Sequence, residues 1–127
     1  MDWIKIGGWL GLLTVAIGAF GAHGLQERLQ ATGYEDQFRT GVLYQMFHVA
    51  GLLLVGLILR QATARGEADL WLRLAPWGFV LGILLFSGSL YALALTGSKG
   101  FGAVTPIGGL LFMGGWLGLA LSCLPGR

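Results

Sequence analysis

Charge is scarce in this chain, and its distribution is uneven. Of 127 residues only 8 are Lys or Arg and 6 are Asp or Glu, so 11% are charged, against about 25% in an ordinary soluble domain. Four stretches, residues 6–26, 40–59, 74–98 and 100–126, contain no charged residue at all. Such a composition excludes an ordinary soluble globular protein.

Cysteine is nearly absent, and the basic residues are never clustered. Cys123 is the single cysteine, which excludes an intramolecular disulfide and a metal cluster held by several thiolates. The net charge is only +2, and the cations are scattered singly along the sequence. Neither a nucleic-acid surface nor a polybasic patch for lipid is indicated.

What is present is apolar length, since 55% of the residues are hydrophobic. A helix that crosses a bilayer needs roughly 20 mostly apolar residues at about 1.5 Å each. The sequence therefore predicts an all-α integral membrane protein with one domain, a bundle of four transmembrane helices with antiparallel neighbours and short loops. We expect the spans at about residues 4–24, 38–59, 74–96 and 106–123.

Several helix ends are predicted from local chemistry. Thr32 followed by Glu35 has the form of a capping box, which would start the second helix near Gly33. Glu35 and Arg39 are spaced for an ion pair on one helical face. Thr105 before Pro106 predicts a capping threonine and a helix that starts at the proline.

Other boundaries are less regular. Pro76 either starts the third membrane segment or kinks it, whereas the last helix is expected to end near Cys123, before Pro125. Residues 97–102 are predicted to form a short turn. Four apolar residues between the first two spans predict a segment that lies along the membrane interface: Leu25, Leu29, Tyr34 and Phe38.

Orientation is predicted from the positions of the cations. With four spans, both termini and the middle loop share one side of the membrane. That side carries Lys5, Arg60, Arg65, Arg73 and Arg127, against Arg28, Arg39 and Lys99 on the other side. Because cations are enriched in cytoplasmic loops, five against three favours termini in the cytoplasm.

The 23 glycines predict close packing, because membrane helices associate where small residues let the backbones approach. Small residues share a face on three of the predicted helices: Gly7, Gly11, Gly18 and Ala22 on the first, Gly78 and Gly82 on the third, Gly114 and Gly118 on the fourth. Faces of this kind also predict self-association. Of the five Trp residues, all but Trp116 lie near span ends, where indole rings favour the headgroup level.

Polar residues inside the spans are the candidate site, because they are costly in lipid and usually face a bundle interior. By the predicted topology they all fall in the outer half of the membrane. The candidate ligand-binding or structural cluster consists of His23, Tyr44, Gln45, His48, Ser87, Ser89, Tyr91 and Thr105.

Three interpretations of this cluster are open. Interhelical hydrogen bonds that fix the register of the helices are the first. A ligand pocket that opens outward, beside the amino-terminal end of the fourth helix, is the second. A haem held by His23 and His48 is the third and least favoured. No carboxylate lies inside a span to orient a histidine, so we expect neither an enzyme nor a metal or other cofactor.

Four segments resemble the signature blocks of the YgdD-like family of small membrane proteins: residues 18–25 (GAFGAHGL), 40–48 (TGVLYQMFH), 86–91 (FSGSLY) and 105–109 (TPIGG). The resemblance covers nearly the whole chain. It implies a small four-span protein, located in the inner membrane in bacteria, and it supplies no biochemical activity.

Two function classes follow as expectations. The first is a structural or accessory membrane component, either a homo-oligomer or a subunit of a larger membrane complex. The second is a small-molecule or lipid-binding or transport protein that uses an outward-facing polar cavity. The bilayer is the expected environment in both, and no nucleic-acid partner is expected.

Overall fold

A computed structural model describes residues 1–123 of the chain as six α-helices with two short helical segments of other types, and no strand forms in that range. The α-helices are α1 (Trp3–Ala22), α2 (Gln26–Thr32), α3 (Glu35–Arg65), α4 (Leu70–Gly82), α5 (Gly88–Thr96) and α6 (Thr105–Ser122). A π-helical segment (Ile83–Ser87) joins α4 to α5, and a 3₁₀ segment (Lys99–Ala103) precedes α6. Pro125 and Arg127, which enter the predictions above, lie outside the described residues.

Four helical runs are long and apolar enough to cross a membrane: Trp3–Ala22, Glu35–Arg65, Leu70–Thr96 and Lys99–Ser122. They pack as a bundle in which consecutive runs are antiparallel. Along α1, Gly7 faces Leu53 and Gly18 faces Val42, so residue numbers rise on one helix as they fall on the other. The all-α fold predicted from the sequence is confirmed.

Glycine makes the closest helix crossings. A Cβ atom placed on Gly78 of α4 would lie 2.7 Å from the backbone nitrogen of Gly115 in α6, and one on Gly115 would lie 3.1 Å from the carbonyl oxygen of Ala75. The glycines of the small-residue faces predicted on the first and third spans do pack inward, whereas Ala22 of the first face is exposed. Gly114 was wrongly assigned to such a face, because it has no neighbouring atom within 4 Å and the buried glycines of α6 are Gly108, Gly115 and Gly118.

A second, smaller core lies where α2 packs between α3 and α5. Leu29 and Phe38 are buried there together with Ala94. In the segment predicted to lie along the membrane interface, α2 forms and both Leu29 and Phe38 pack against protein, while its position relative to the membrane stays a prediction.

The predicted capping box is wrong. Thr32 is the last residue of α2, and its hydroxyl lies 2.6 Å from the Ala94 carbonyl oxygen, to which it donates, and 3.1 Å from that of Leu29. The helix α3 begins at Glu35 after Tyr34, which makes no side-chain capping bond. The Glu35–Arg39 pair is confirmed at 2.7 Å. The carbonyl oxygen of Ala94 on α5 explains the difference, because it takes the hydrogen bond of the Thr32 hydroxyl. A capping-box pattern considers only residues close in sequence and cannot reveal this acceptor.

The start of α6 also differs by one residue from the prediction. Val104 occupies the capping position, Thr105 is already helical, and its hydroxyl is used elsewhere. Asp2 and Asp69 are the side chains that cap α1 and α4: Asp2 accepts from the amides of Ile4 and Lys5, and Asp69 from that of Leu72. Gly33, Gly66 and Gly97 end α2, α3 and α5 with φ between 71° and 75°, a conformation that favours glycine.

The third span is continuous but irregular. It begins at Leu70, so Pro76 lies within α4, where it is buried, and does not start the helix. The π-helical turn at Ile83–Ser87 was not predicted. Such a turn widens the helix by one residue per hydrogen-bonded ring and is frequent at functional positions. It ends at Ser87, one of the candidate site residues.

Candidate functional site

A chain of side-chain hydrogen bonds crosses three spans near the middle of the bundle. The Tyr91 hydroxyl on α5 donates to the Gln45 side-chain oxygen on α3 (2.8 Å), and the Gln45 amide nitrogen donates to the Thr14 hydroxyl on α1 (3.0 Å). Thr14 in turn donates to the Leu10 carbonyl oxygen of its own helix (2.7 Å). Gln45 and Thr14 are buried, so the chain fixes the register of α1, α3 and α5.

Thr14 is a site residue that the sequence analysis missed. A lone threonine in an apolar helix gives no signal of its own, because its hydroxyl can bond to the carbonyl four residues earlier. That local bond is present here, and the oxygen accepts from Gln45 in addition. The signal that could have found Thr14 is Gln45, a polar residue at a similar depth on the neighbouring span α3.

Ser87 makes a second link between spans. It is fully buried at the end of the π-helical turn, and its hydroxyl donates to the backbone carbonyl oxygen of Gly41 on α3 (2.7 Å). Gly41 also lies against the ring of Tyr91. The third span is therefore attached to α3 through both Ser87 and Tyr91.

Ser89 and Thr105 form a separate pair. Their hydroxyl oxygens are 2.7 Å apart, and Ser89 also donates to the Phe86 carbonyl oxygen at 2.9 Å. This pair joins α5 to the first turn of α6. It explains why Thr105 does not act as a helix cap.

His48 is buried among aromatic rings and stands apart from both groups. Its ring stacks on Phe112 with centroids 3.5 Å apart and planes within 5°, and Phe79 and Trp116 have their centroids 5.8 and 6.1 Å away. Nδ1 lies 2.7 Å from the Tyr44 carbonyl oxygen. Since a carbonyl can only accept, Nδ1 carries the proton in this contact.

Tyr44 contributes to the site mainly through its backbone and its ring face. The side chain is exposed on the surface of the bundle, and the ring stacks on Phe86 with centroids 4.4 Å apart. It therefore covers one edge of the aromatic group around His48.

His23 does not join the other candidates. It is exposed at the carboxyl-terminal end of α1. Because Gly11 faces Val49 and Gly21 faces Phe38, His23 and His48 differ in level by about eleven residues, or roughly 17 Å at the helical rise. One haem cannot take both imidazoles as axial ligands within this chain.

Seven of the eight candidate residues thus form three groups, and His23 lies outside them. No buried side-chain nitrogen or oxygen atom in residues 1–123 lacks a hydrogen-bond partner. The fully buried side-chain polar atoms are therefore paired, whereas His48 forms a hydrogen bond only through Nδ1, and whether any residue of the cluster serves a ligand stays a prediction.

Two cavities open elsewhere on the bundle. One, of about 670 Å³, lies among the first residues of α1, the end of α3 and the start of α4. The other, of about 350 Å³, lies between α1, α2 and the first turns of α3. Neither is lined by any of the eight candidate residues.

Comparison with known proteins gives consistent matches. Residues 17–109 match the family described as a protein of unknown function, DUF423. A UPF0382 membrane protein of Staphylococcus haemolyticus is 44% identical over 94% of this chain and 92% of its own length. A UPF0382 membrane protein of Haemophilus influenzae is 46% identical over 87% and 83%, and YwdK of Bacillus subtilis is 37% identical over 95% and 94%. No solved structure matches the chain.

Proposed function

Because this chain belongs to the DUF423 (UPF0382) family of bacterial multi-pass membrane proteins, we propose that it is a structural or accessory component of the inner membrane and not an enzyme. The predicted relationship to the YgdD-like family is confirmed by these matches. Membership in the family assigns no activity, so the proposal rests on the geometry of the interior.

The observation that carries the proposal is that every fully buried side-chain nitrogen or oxygen atom within residues 1–123 has a hydrogen-bond partner. A binding site in a membrane interior normally keeps polar groups available for the ligand. Here Gln45, Thr14 and Tyr91 bond to each other across three helices. The interior polar residues are therefore used to hold the helices in register.

The same bonds argue against a catalytic role. Ser87 donates to Gly41, Ser89 bonds to Phe86 and Thr105, and His48 donates to Tyr44. A nucleophilic serine needs a base within hydrogen-bond reach, and within residues 1–123 neither serine hydroxyl bonds to His48. These contacts describe packing residues.

The proposal includes cytoplasmic termini and self-association. Most glycines of the spans are used inside the bundle, so the surface available for a second copy is limited. Gly8 on α1 and Gly114 on α6 are exposed and have no atom within 4 Å. Close approach of another helix is possible at these two positions, since no side chain intervenes.

Cysteine cross-linking in native membranes tests self-association. The background is Cys123→Ser, into which Gly8→Cys or Gly114→Cys is introduced. Leu84→Cys is the matched control, because Leu84 is 65% exposed on the third span. A membrane-permeable oxidant should give covalent dimers with Gly8→Cys or Gly114→Cys but not with the control.

Two results would contradict this part of the proposal. Dimers from all three variants in similar amounts would indicate random collisions, and their absence from all three would indicate a monomer or a subunit of a different complex. Mild-detergent purification from native membranes then distinguishes the last two, because a hetero-complex co-purifies as a species of defined size with a reproducible second protein.

The alternative is a binding or transport protein with a polar cavity around His48. The positions of the two cavities give it less support, since neither touches the aromatic group around His48. Native mass spectrometry tests it directly. A small molecule retained by the wild-type chain and by His23→Phe, but lost from His48→Phe, would replace the structural proposal.

A further inference from the structure

The cavity of about 670 Å³ is lined by charged and aromatic residues from three spans, and we call it the arginine cavity. Arg60 and Thr63 come from α3, Arg73 and Trp77 from α4, and Asp2 and Trp3 from the start of α1. The start of α1 is more than fifty residues away from the other two segments, which a short loop joins. The fold therefore gathers cations that the sequence shows only as scattered single residues.

The two guanidinium groups have unused donors. Arg73 donates from Nε to the Ala68 carbonyl oxygen at 3.2 Å, which leaves its two terminal amino groups available. Within residues 1–123, the side chain of Arg60 makes no hydrogen bond, and neither guanidinium group has a carboxylate oxygen within 4 Å. The lining acid, Asp2, is engaged as the cap of α1 through Ile4 (3.1 Å) and Lys5 (3.2 Å).

Position along the helices places this cavity at the membrane boundary. Arg60 is the first charged residue after the uncharged stretch 40–59, and Arg73 is the last one before the uncharged stretch 74–98. Trp3 and Trp77 are in edge-to-face contact beside them, with ring centroids 5.0 Å apart. Arginine and tryptophan at one level are typical of the headgroup region of a bilayer.

The lining also changes polarity with depth. Thr63 and the two guanidinium groups lie toward the ends of the helices, whereas Gly56, Leu59 and Ile4 continue the cavity toward the apolar part of the bundle. A ligand that matches both parts is amphiphilic. The volume is within the range of about 300 to 1,000 Å³ that is usual for small-molecule sites.

We infer that the arginine cavity binds the phosphate-bearing headgroup of an anionic phospholipid, with its acyl chains along the apolar wall. Arginine forms bidentate hydrogen bonds with phosphate oxygens. Two guanidinium groups against one capped carboxylate favour a headgroup that lacks a compensating ammonium group. This binding is independent of self-association and of the hydrogen-bonded interior.

Native mass spectrometry of the full-length protein in detergent tests the inference, with phosphatidylglycerol and phosphatidylcholine of identical acyl chains as probes. We expect the wild-type chain to prefer phosphatidylglycerol by roughly 30-fold, because each basic residue near a lipid surface contributes about a factor of five. Arg60→Gln/Arg73→Gln should remove most of that preference. Millimolar inorganic phosphate should not displace the lipid.

The matched control is Lys5→Gln/Arg65→Gln. It also removes two positive charges from the same end of the bundle, but neither Lys5 nor Arg65 lines the cavity. We expect this variant to keep the preference to within about twofold, since a contribution of about a factor of five per charge belongs to residues beside the lipid. Equal losses in the two double variants would show diffuse surface attraction and overturn the inference.

Two further results would also overturn it. Displacement by inorganic phosphate would identify a site for a soluble anion, and equal retention of the two lipids would exclude headgroup recognition. If the double arginine variant does not fold, Thr63→Glu replaces it, because Thr63 is exposed and lines the cavity. A carboxylate at this position should lower the affinity for phosphatidylglycerol, whereas Thr63→Gln should not.

Discussion

Gln45 joins three spans, because its side chain forms hydrogen bonds with residues on two other helices. It is 2% exposed, and its amide uses the oxygen for Tyr91 and the nitrogen for Thr14. Between transmembrane helices apolar contact with a neighbour is hardly better than contact with lipid, so polar bonds of this kind contribute to register and stability. A single substitution at Gln45 removes two of them.

We predict that Gln45→Leu lowers the free energy of unfolding by roughly 1 to 3 kcal/mol, because two interhelical bonds are lost and the Tyr91 hydroxyl is left without its acceptor. Denaturant titration in mixed micelles measures the change. Gln61→Leu is the control, since Gln61 is exposed on the same helix and makes no side-chain hydrogen bond in the described part of the chain. Similar losses in both variants would show that helix composition, not the network, sets the effect.

Removal of the whole network should cost less than removal of its centre. Replacing both partners of a buried bond by apolar groups of similar shape is nearly neutral, whereas one orphaned partner is destabilising. We therefore expect Gln45→Leu to be milder in a Thr14→Val/Tyr91→Phe background than in the wild type. The same titration gives the coupling energy, and strict additivity would mean that the three residues act independently.

His48 should behave as an aromatic packing residue. The Phe112 ring lies 3.5 Å from it in a parallel stack, so His48→Ala leaves a cavity and should cost about 2 to 4 kcal/mol. His48→Phe preserves the volume and should stay within about 1 kcal/mol of the wild type. Thermal unfolding of both variants measures this. A phenylalanine variant as unstable as the alanine variant would show that the bond to Tyr44 matters more than the stack.

At the level of helices, the α4–α6 crossing depends on the absence of side chains. A Cβ on Gly78 would lie 2.7 Å from the Gly115 nitrogen and 2.8 Å from its Cα, both backbone atoms that cannot rotate away. We predict that Gly78→Ala destabilises the bundle by at least about 2 kcal/mol, as overpacking does. The measurement is again the free energy of unfolding in mixed micelles.

The control for this crossing is Gly114→Ala on α6, measured at a protein dilution at which the chain is monomeric, because Gly114 is also a proposed contact between copies. Gly114 has no atom within 4 Å, so the added methyl group meets open space and the higher helix propensity of alanine offers up to about 1 kcal/mol of stabilisation. Equal effects at Gly78 and Gly114 would indicate that glycine matters through backbone flexibility and not through close packing.

Helices and their ends are predicted well from the sequence where local composition decides them. They are predicted less well where a residue distant in the sequence supplies the deciding contact. Uncharged apolar stretches predict the four long helices, because length and polarity alone decide which segments can cross a bilayer. The Thr32 prediction failed, since the hydroxyl meets Ala94, which is 62 residues away. The π-helical turn at Ile83–Ser87 leaves no composition signal at all.

The candidate site shows the same division. Depth along each helix places the candidates in one half of the membrane without saying which of them pair, whereas in the structure Tyr91 bonds to Gln45 and Ser89 to Thr105. Direction around each helix is not given by depth, so His48 points to the Phe112 side of α3 while Gln45 points to α1. Thr14 was omitted because a threonine bonded to its own helix resembles any other apolar-span threonine.

At the scale of the whole molecule, the two ends of the bundle carry different numbers of cations. The end that carries the termini holds Lys5, Arg60, Arg65 and Arg73 among the described residues, and the opposite end holds Arg28, Arg39 and Lys99. At the opposite end two of the cations are engaged, Arg28 with the Leu95 carbonyl oxygen and Arg39 with Glu35. The arginine cavity therefore lies at the more basic end.

Cysteine labelling in a bacterial host tests the predicted orientation. Cys123 is exposed at the end of α6, on the same side as the termini. Because the more basic side is expected to stay in the cytoplasm, a membrane-impermeant maleimide should label Cys123 in inside-out vesicles and not in spheroplasts. In Ser98→Cys/Cys123→Ser, which leaves every cation in place, the pattern should reverse, since Ser98 is exposed at the opposite end. Labelling of Cys123 in spheroplasts would contradict this orientation. It would place the arginine cavity in the outer leaflet, where the lipids available for binding are those of that leaflet.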